Sequence, residues 1–266
     1  MKMLARSRLF APLFVALTSS AWIALWAWDA GPYARYLRHA SWDELPLVGP
    51  ICRAVPGASV TIAALLHSAA WLLMIAAMML PSAFPLFDTF RRMTVARDNR
   101  RTLMALLIVG YATTWALFGV VAHGFDAALH LVAAQVPSLL ANGWLIGAAI
   151  VALAGLYQFS SLKHRCLDKC RSPLMFITGH WRGKSARRES FVLGISHGAF
   201  CVGCCWALML LMFAVGTGSV GWMLALGAIM SAEKNFRWGR SIGKPLGVAL
   251  LAWSAWIVVQ HSSLIA

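Results

Sequence analysis

Seven stretches of this chain are apolar over about the length that carries a helix across a bilayer, roughly 20 residues. They run at about Leu9–Trp28, Val60–Leu80, Thr102–Ala122, Gly143–Leu162, Phe191–Val215, Val220–Asn235 and Pro245–Gln260, the sixth being short. A backbone in hydrocarbon has no water to bond to, so such runs fold as helices. The expected fold is therefore an all-α, polytopic transmembrane bundle of about seven spans. Of the 266 residues 60% are hydrophobic and only 12% charged, which excludes an ordinary soluble domain.

The formal net charge of +14 suggests nucleic acid in a soluble protein, but here its placement speaks for topology. Of the 23 Lys and Arg residues, 20 fall at the N-terminus and in the loops after the second, fourth and sixth runs. The other side holds only Arg35, Arg38 and Arg53. Basic loops stay cytoplasmic, so the N-terminus is expected inside and the C-terminus outside. The lipid bilayer is the main expected partner, in a multi-pass protein of the bacterial inner membrane. No nucleic acid is expected.

Lys2, Arg6 and Arg8 precede the first run, which has small residues around Ser19 to Ala21 where a signal peptide would be cleaved. Its hydrophobicity continues past that point, and an uncleaved helix is the expectation. Residues 1–59 then comprise this helix and an external loop, and residues 60–266 a six-helix membrane domain.

The fifth run carries GISHGAFCVGCCWALM, residues 194–209. His197, Cys201, Cys204 and Cys205 are spaced i, i+4, i+7 and i+8, within about a third of a helix circumference at roughly 100° per residue. Met209 lies at the edge of the same face. Imidazole, thiol and thioether are the ligands preferred by soft or borderline metals, Cu(I) and Zn(II) first among them. A single buried cysteine is commonly packing, and Gly194, Gly198 and Gly203 suggest close approach of a neighbouring helix. A histidine at membrane depth, by contrast, points to function. Five of the six cysteines lie in spans or on the cytoplasmic side, where thiols stay reduced. Cys52 alone is expected outside.

With a rise of about 1.5 Å per residue, the second run places His67 at the depth of Cys204, and Met74 at the depth of His197. Two ligand layers between the second and fifth spans are expected on this count, although methionines such as Met74, Met78 and Met79 serve equally as core filler. Pro81 and Pro85 are expected to end or kink the second helix. Cys166 and Cys170, spaced i, i+4 in the long basic loop with His164 nearby, would face one way if that segment is helical up to Pro173. They suit a second, cytoplasmic site. Glu233 and Lys234, as sequence neighbours, cannot pair with each other across a helix and are expected to reach other helices.

The segments WLLMIAAMMLPSAFP (71–85), YQFSSLKHRCLDKCRSP (157–173) and GISHGAFCVGCCWALMLLMF (194–213), with Glu233-Lys234, resemble a bacterial family of predicted metal-binding integral membrane proteins classed as a domain of unknown function. The resemblance covers about residues 60–255. It implies a polytopic inner-membrane protein with His197, Cys201, Cys204, Cys205, Cys166 and Cys170 as motif positions. Ser161 stands where the family often has proline, and Gly218 where methionine is expected.

Together these features describe a membrane protein that binds a transition metal ion, Cu(I) before Zn(II), and passes it on. The candidate ligands are His197, Cys201, Cys204, Cys205, Cys166, Cys170, His67, Met74 and Met209. A metal chaperone or another membrane subunit would be its protein partner. A membrane thiol-disulfide oxidoreductase and a non-catalytic accessory subunit are the alternatives. No phosphate loop and no paired carboxylate in a span point to a nucleotide or sugar enzyme.

Overall fold

A computed structural model describes residues 10–31, 60–136, 142–215 and 220–262, leaving out the side chains of 60–67, 127, 130, 133, 134, 213–215 and 262. Among the described residues all regular structure is helical. In chain order the helices are α1 (Phe10–Asp29), α2 (Val60–Met93), α3 (Arg100–Gln135), α4 (Gly143–Tyr157), α5 (Ser161–Arg171), α6 (Pro173–His180), α7 (Ala186–Val215), α8 (Val220–Asn235) and α9 (Gly239–Ser262). Five of them, α1, α2, α3, α7 and α9, are long and apolar enough to cross a membrane. A sixth crossing is available if α4 and α5, bent by 63° at their junction, count as one span. At 16 residues, α8 is shorter than these. The external loop expected up to residue 59, with Cys52, lies outside the described residues, as do Gly218 and the side chain of His67.

The tightest pairing in the bundle is α3 against α7. A methyl group on Gly110 would run into the Phe191 carbonyl, and one on Gly194 into the Leu107 carbonyl. The two backbones are thus in direct contact, which only glycine permits. Thr114 Oγ1 adds a hydrogen bond to the Ile195 carbonyl at 3.2 Å. Helix α7 also packs on α5 and α4, whereas α2 packs on α8, α1 and α3. The pairing of α2 with α7 on which the two expected layers depend is not among the more extensive helix pairs; α7 is in backbone contact with α3.

Helix α2 runs through Pro81 and Pro85 without ending. A proline frees the carbonyl four residues before it, and for Pro85 that is the Pro81 carbonyl, which accepts a hydrogen bond from Asn235 Nδ2 of α8 at 3.4 Å. A neighbouring helix thus re-satisfies the freed group, as happens at membrane depth.

The turn between α4 and α5 follows from local chemistry. Ser160 is extended, and its side chain accepts from Lys163 N at 3.1 Å, starting α5. Pro173 occupies the first turn of α6 and so cannot continue α5. The basic segment expected as a cytoplasmic loop is folded back as a short helix against α7 and α8.

Candidate metal centre

Cys201, Cys204 and Cys205 are all buried, as is Cys170. Helix α5 brings the Cys170 thiol beside those of Cys201 and Cys204, and Cys205 completes the group next to Cys201 and Cys204. Cys166, one turn earlier on α5, is also buried, and its Sγ would lie 2.7 Å from a methyl group placed on Gly203. Gly203 is thus what lets α5 lie this close to α7. The cysteines of α5 and those of α7, which the spacing suggested as two separate places, form one continuous thiol lining.

Each α7 thiol has a defined partner. Cys204 Sγ and Cys205 Sγ donate to the Cys201 carbonyl at 3.1 and 2.9 Å. Cys201 Sγ accepts from Lys234 Nζ at 2.9 Å and shares a hydrogen bond with Tyr111 Oη at 3.1 Å. Lys234 Nζ donates also to Ser82 Oγ at 3.2 Å. One ammonium group therefore ties α8 to α7 and to α2 at the level of the thiols. Among the described residues no three His, Cys, Asp or Glu side chains are gathered as a ready-made metal cage. The hydrogen bonds account for this, since they turn two thiols toward a carbonyl and the third toward a lysine. As a donor set, four neighbouring thiols in a dry interior match a soft ion and fit a hard one poorly.

His197 lies one turn before Cys201 and is buried at 2% exposure. Its Nδ1 has no hydrogen-bond partner among the described residues. The ring is held instead by aromatics, edge-to-face with Phe176 at 5.2 Å and tilted on Tyr111 at 6.1 Å. The nitrogen of His164 on α5 is likewise buried and unpartnered. Met74 and Met209 are buried in the apolar core. Met209 extends the α7 face by one turn, while Met74 belongs to α2 and shares its setting with Met78 and Met79.

Behind the thiols lies a buried ionic clasp. Lys163 Nζ meets Glu233 Oε1 at 2.6 Å, with side chains 1% and 3% exposed, and also donates to Gln158 Oε1. Arg171 donates to the Glu233 carbonyl and, at 3.1 Å, to the Arg237 carbonyl, covering the end of α8. Glu233 and Lys234 thus face different partners, one on α5 and the other on α7 and α2. The Glu233 carboxylate is buried next in sequence to Lys234. It is occupied by Lys163.

Sequence reasoning missed Gln158, Tyr111 and Ser82, and the pairing of Lys163 with Glu233. Lys163 was hidden among seven other basic residues of its loop. A single tyrosine in a long apolar helix is the one signal that pointed to Tyr111, because a buried phenol needs a partner.

A family model named PpoB2 and described as a copper chaperone matches residues 68–257. No curated protein and no solved structure matches the chain.

Proposed function

This chain belongs to the PpoB2 copper chaperone family, and on that premise we propose that it is a multi-pass protein of the bacterial inner membrane that binds Cu(I) within the bilayer and hands it on. The observation that carries this reading is the meeting of Cys170 from α5 with Cys201, Cys204 and Cys205 from α7 in a buried group. Two or three thiolates satisfy Cu(I), and the surrounding apolar core keeps water and harder competitors out. His197, with its unpartnered nitrogen one turn away, is a further ligand in this reading. Zn(II) is the second choice, through three thiolates and an imidazole.

Cys166, adjoining the group on the same short helix, gives the ion a neighbouring sulfur to step to. Transfer then proceeds by exchange of one thiolate for another, toward a soluble or membrane-bound copper acceptor. Seven crossings with a cytoplasmic N-terminus support this arrangement if α4 and α8 each cross alone, and the concentration of basic residues in alternate connections favours it. The basic helix α5 and the apolar helix α6 that follows it then lie at the cytoplasmic side.

The deciding experiment is metal content by mass spectrometry after anaerobic purification in mild detergent, for wild type and for Cys204→Ser/Cys205→Ser. Near-stoichiometric copper in the wild type, lost in the double variant, is the expected result. Absence of copper and zinc from both, even after reconstitution with Cu(I), overturns the reading.

The nearness of Cys170 to Cys201 and Cys204 also favours a second reading, a thiol-disulfide oxidoreductase. Under that reading, trapping free thiols in the resting protein leaves one pair protected until reductant is added.

A further inference from the structure

The four thiols do not stand alone: a lysine ammonium lies among them. Lys234 is 6% exposed, and its Nζ reaches Cys201 Sγ, the sulfur at the centre of the group. A surface lysine would be explained by topology, but this one is at the inner end of α8 with its charge turned into the protein. Three features hold it there. Its Nζ donates to Cys201 Sγ at 2.9 Å and to Ser82 Oγ at 3.2 Å. Ser82 in turn donates to the Met79 carbonyl at 2.8 Å, leaving its oxygen free to accept from the lysine. The neighbouring Glu233 is already paired with Lys163 at 2.6 Å, so the Lys234 charge has no carboxylate of its own.

A buried charge without an opposite charge is costly, and one that persists needs a partner supplied by function or structure. Of the two atoms that Lys234 Nζ is bonded to among the described residues, only Cys201 Sγ can carry negative charge. The complementary problem arises when copper binds. Cu(I) held by two thiolates is an anion of charge −1, and in a low-dielectric interior that charge also requires compensation.

We propose that Lys234 is the counter-charge of the metal centre, a positioning residue whose ammonium, held 2.9 Å from Cys201 Sγ, offsets negative charge on the buried copper-thiolate group. Ser82 and Tyr111 are its accessories. Ser82 holds the ammonium in place from α2, and Tyr111 donates to or accepts from the same sulfur from α3 at 3.1 Å. A sulfur that binds a metal still accepts a hydrogen bond, so the lysine does not have to leave for copper to enter. The inference rests on the Cu(I) reading above and specifies the group that makes that site tolerable inside a membrane.

The test is an anaerobic Cu(I) titration of detergent-purified protein against a chromophoric competing chelator, for wild type, Lys234→Met, Lys234→Gln and Lys234→Arg. Removing the charge in Lys234→Met is expected to weaken binding by about tenfold or more, as for loss of one member of a buried charged pair. Lys234→Gln keeps a donor of similar length without the charge and is expected to weaken binding comparably. Lys234→Arg restores affinity to near wild type, which a purely structural role would not do, because the larger guanidinium packs less well. Copper bound by Lys234→Met or Lys234→Gln as tightly as by wild type, or more tightly, overturns the inference and identifies the ammonium as a competitor of the metal. A wild type that binds no copper overturns the underlying reading, whatever the variants do.

Discussion

The Lys163 ammonium and the Glu233 carboxylate stand 2.6 Å apart, both almost wholly buried, and join a helix that carries two cysteines to the helix that carries Lys234. Charges this deep are stabilising only as a pair, since removing one leaves the other uncompensated. Together with the Arg171 hydrogen bond to the Glu233 carbonyl, the pair ties the helix that carries Cys166 and Cys170 to α8.

Breaking the clasp is expected to be severe and repairable. Glu233→Gln leaves Lys163 buried without a counter-charge and should cost about 3 to 5 kcal/mol of stability. The double variant Lys163→Met/Glu233→Leu removes both charges and should recover most of that loss. Thermal midpoints in one detergent compare the three proteins. A Glu233→Gln protein as stable as wild type would show that the pair is not closed in the membrane-derived protein.

The two glycines of the α7 stripe should differ in their tolerance of a methyl group. At Gly194 the added carbon runs into the Leu107 carbonyl of a rigid helix, whereas at Gly198 it meets Thr114 Cβ at 2.8 Å, a milder overlap. Gly194→Ala is expected to lower the thermal midpoint substantially, by roughly 2 to 3 kcal/mol of overpacking strain, and Gly198→Ala by less. Equal midpoints for the two would contradict the backbone contact between α3 and α7.

Cys170 and Cys166 share one helix but have different neighbours. Cys170 touches Cys201 and Cys204, while Cys166 faces Gly203. Cys170→Ser is expected to lower equilibrium Cu(I) affinity by about tenfold, the loss of one of two or three soft ligands. Cys166→Ser should leave affinity within about twofold and slow the transfer of copper to an external chelator. Chelator competition measures the first and stopped-flow transfer the second. The reverse ranking would move the site toward Cys166.

Orientation has its own test. Cys52 is the one cysteine expected outside the membrane, and the five others are buried. A membrane-impermeant maleimide added to intact spheroplasts should label a single cysteine, abolished by Cys52→Ser. Labelling that appears only after permeabilisation would invert the topology.

Much of the architecture was legible from the amino-acid order. The boundaries of α8 coincide with the expected run, those of α1 and α7 lie close to it, and the i, i+4, i+7, i+8 spacing does place three thiols and His197 on a buried face of one helix. Glycines 194 and 198 foretold a close helix neighbour. Where reading along the chain failed, a distant residue intervened. Pro85 was expected to end or kink α2, but Asn235, 150 residues later, donates a hydrogen bond to the Pro81 carbonyl that Pro85 frees. The basic segment after α4 was expected as a loop, but Glu233 neutralises its Lys163 and allows it to be buried.

The sequence alone determined the helices, the class of surroundings they need and the face on which the sulfurs lie, because helix periodicity and transfer into hydrocarbon depend on residues within a few turns of one another. Only the tertiary structure decided which helix would meet that face. Helix α5 meets it because Gly203 admits Cys166 and a buried ion pair ties α5 to α8, while Gly110 and Gly194 hold α7 against α3. These are contacts between residues tens of positions apart or more, whose energies exist only once the helices have come together.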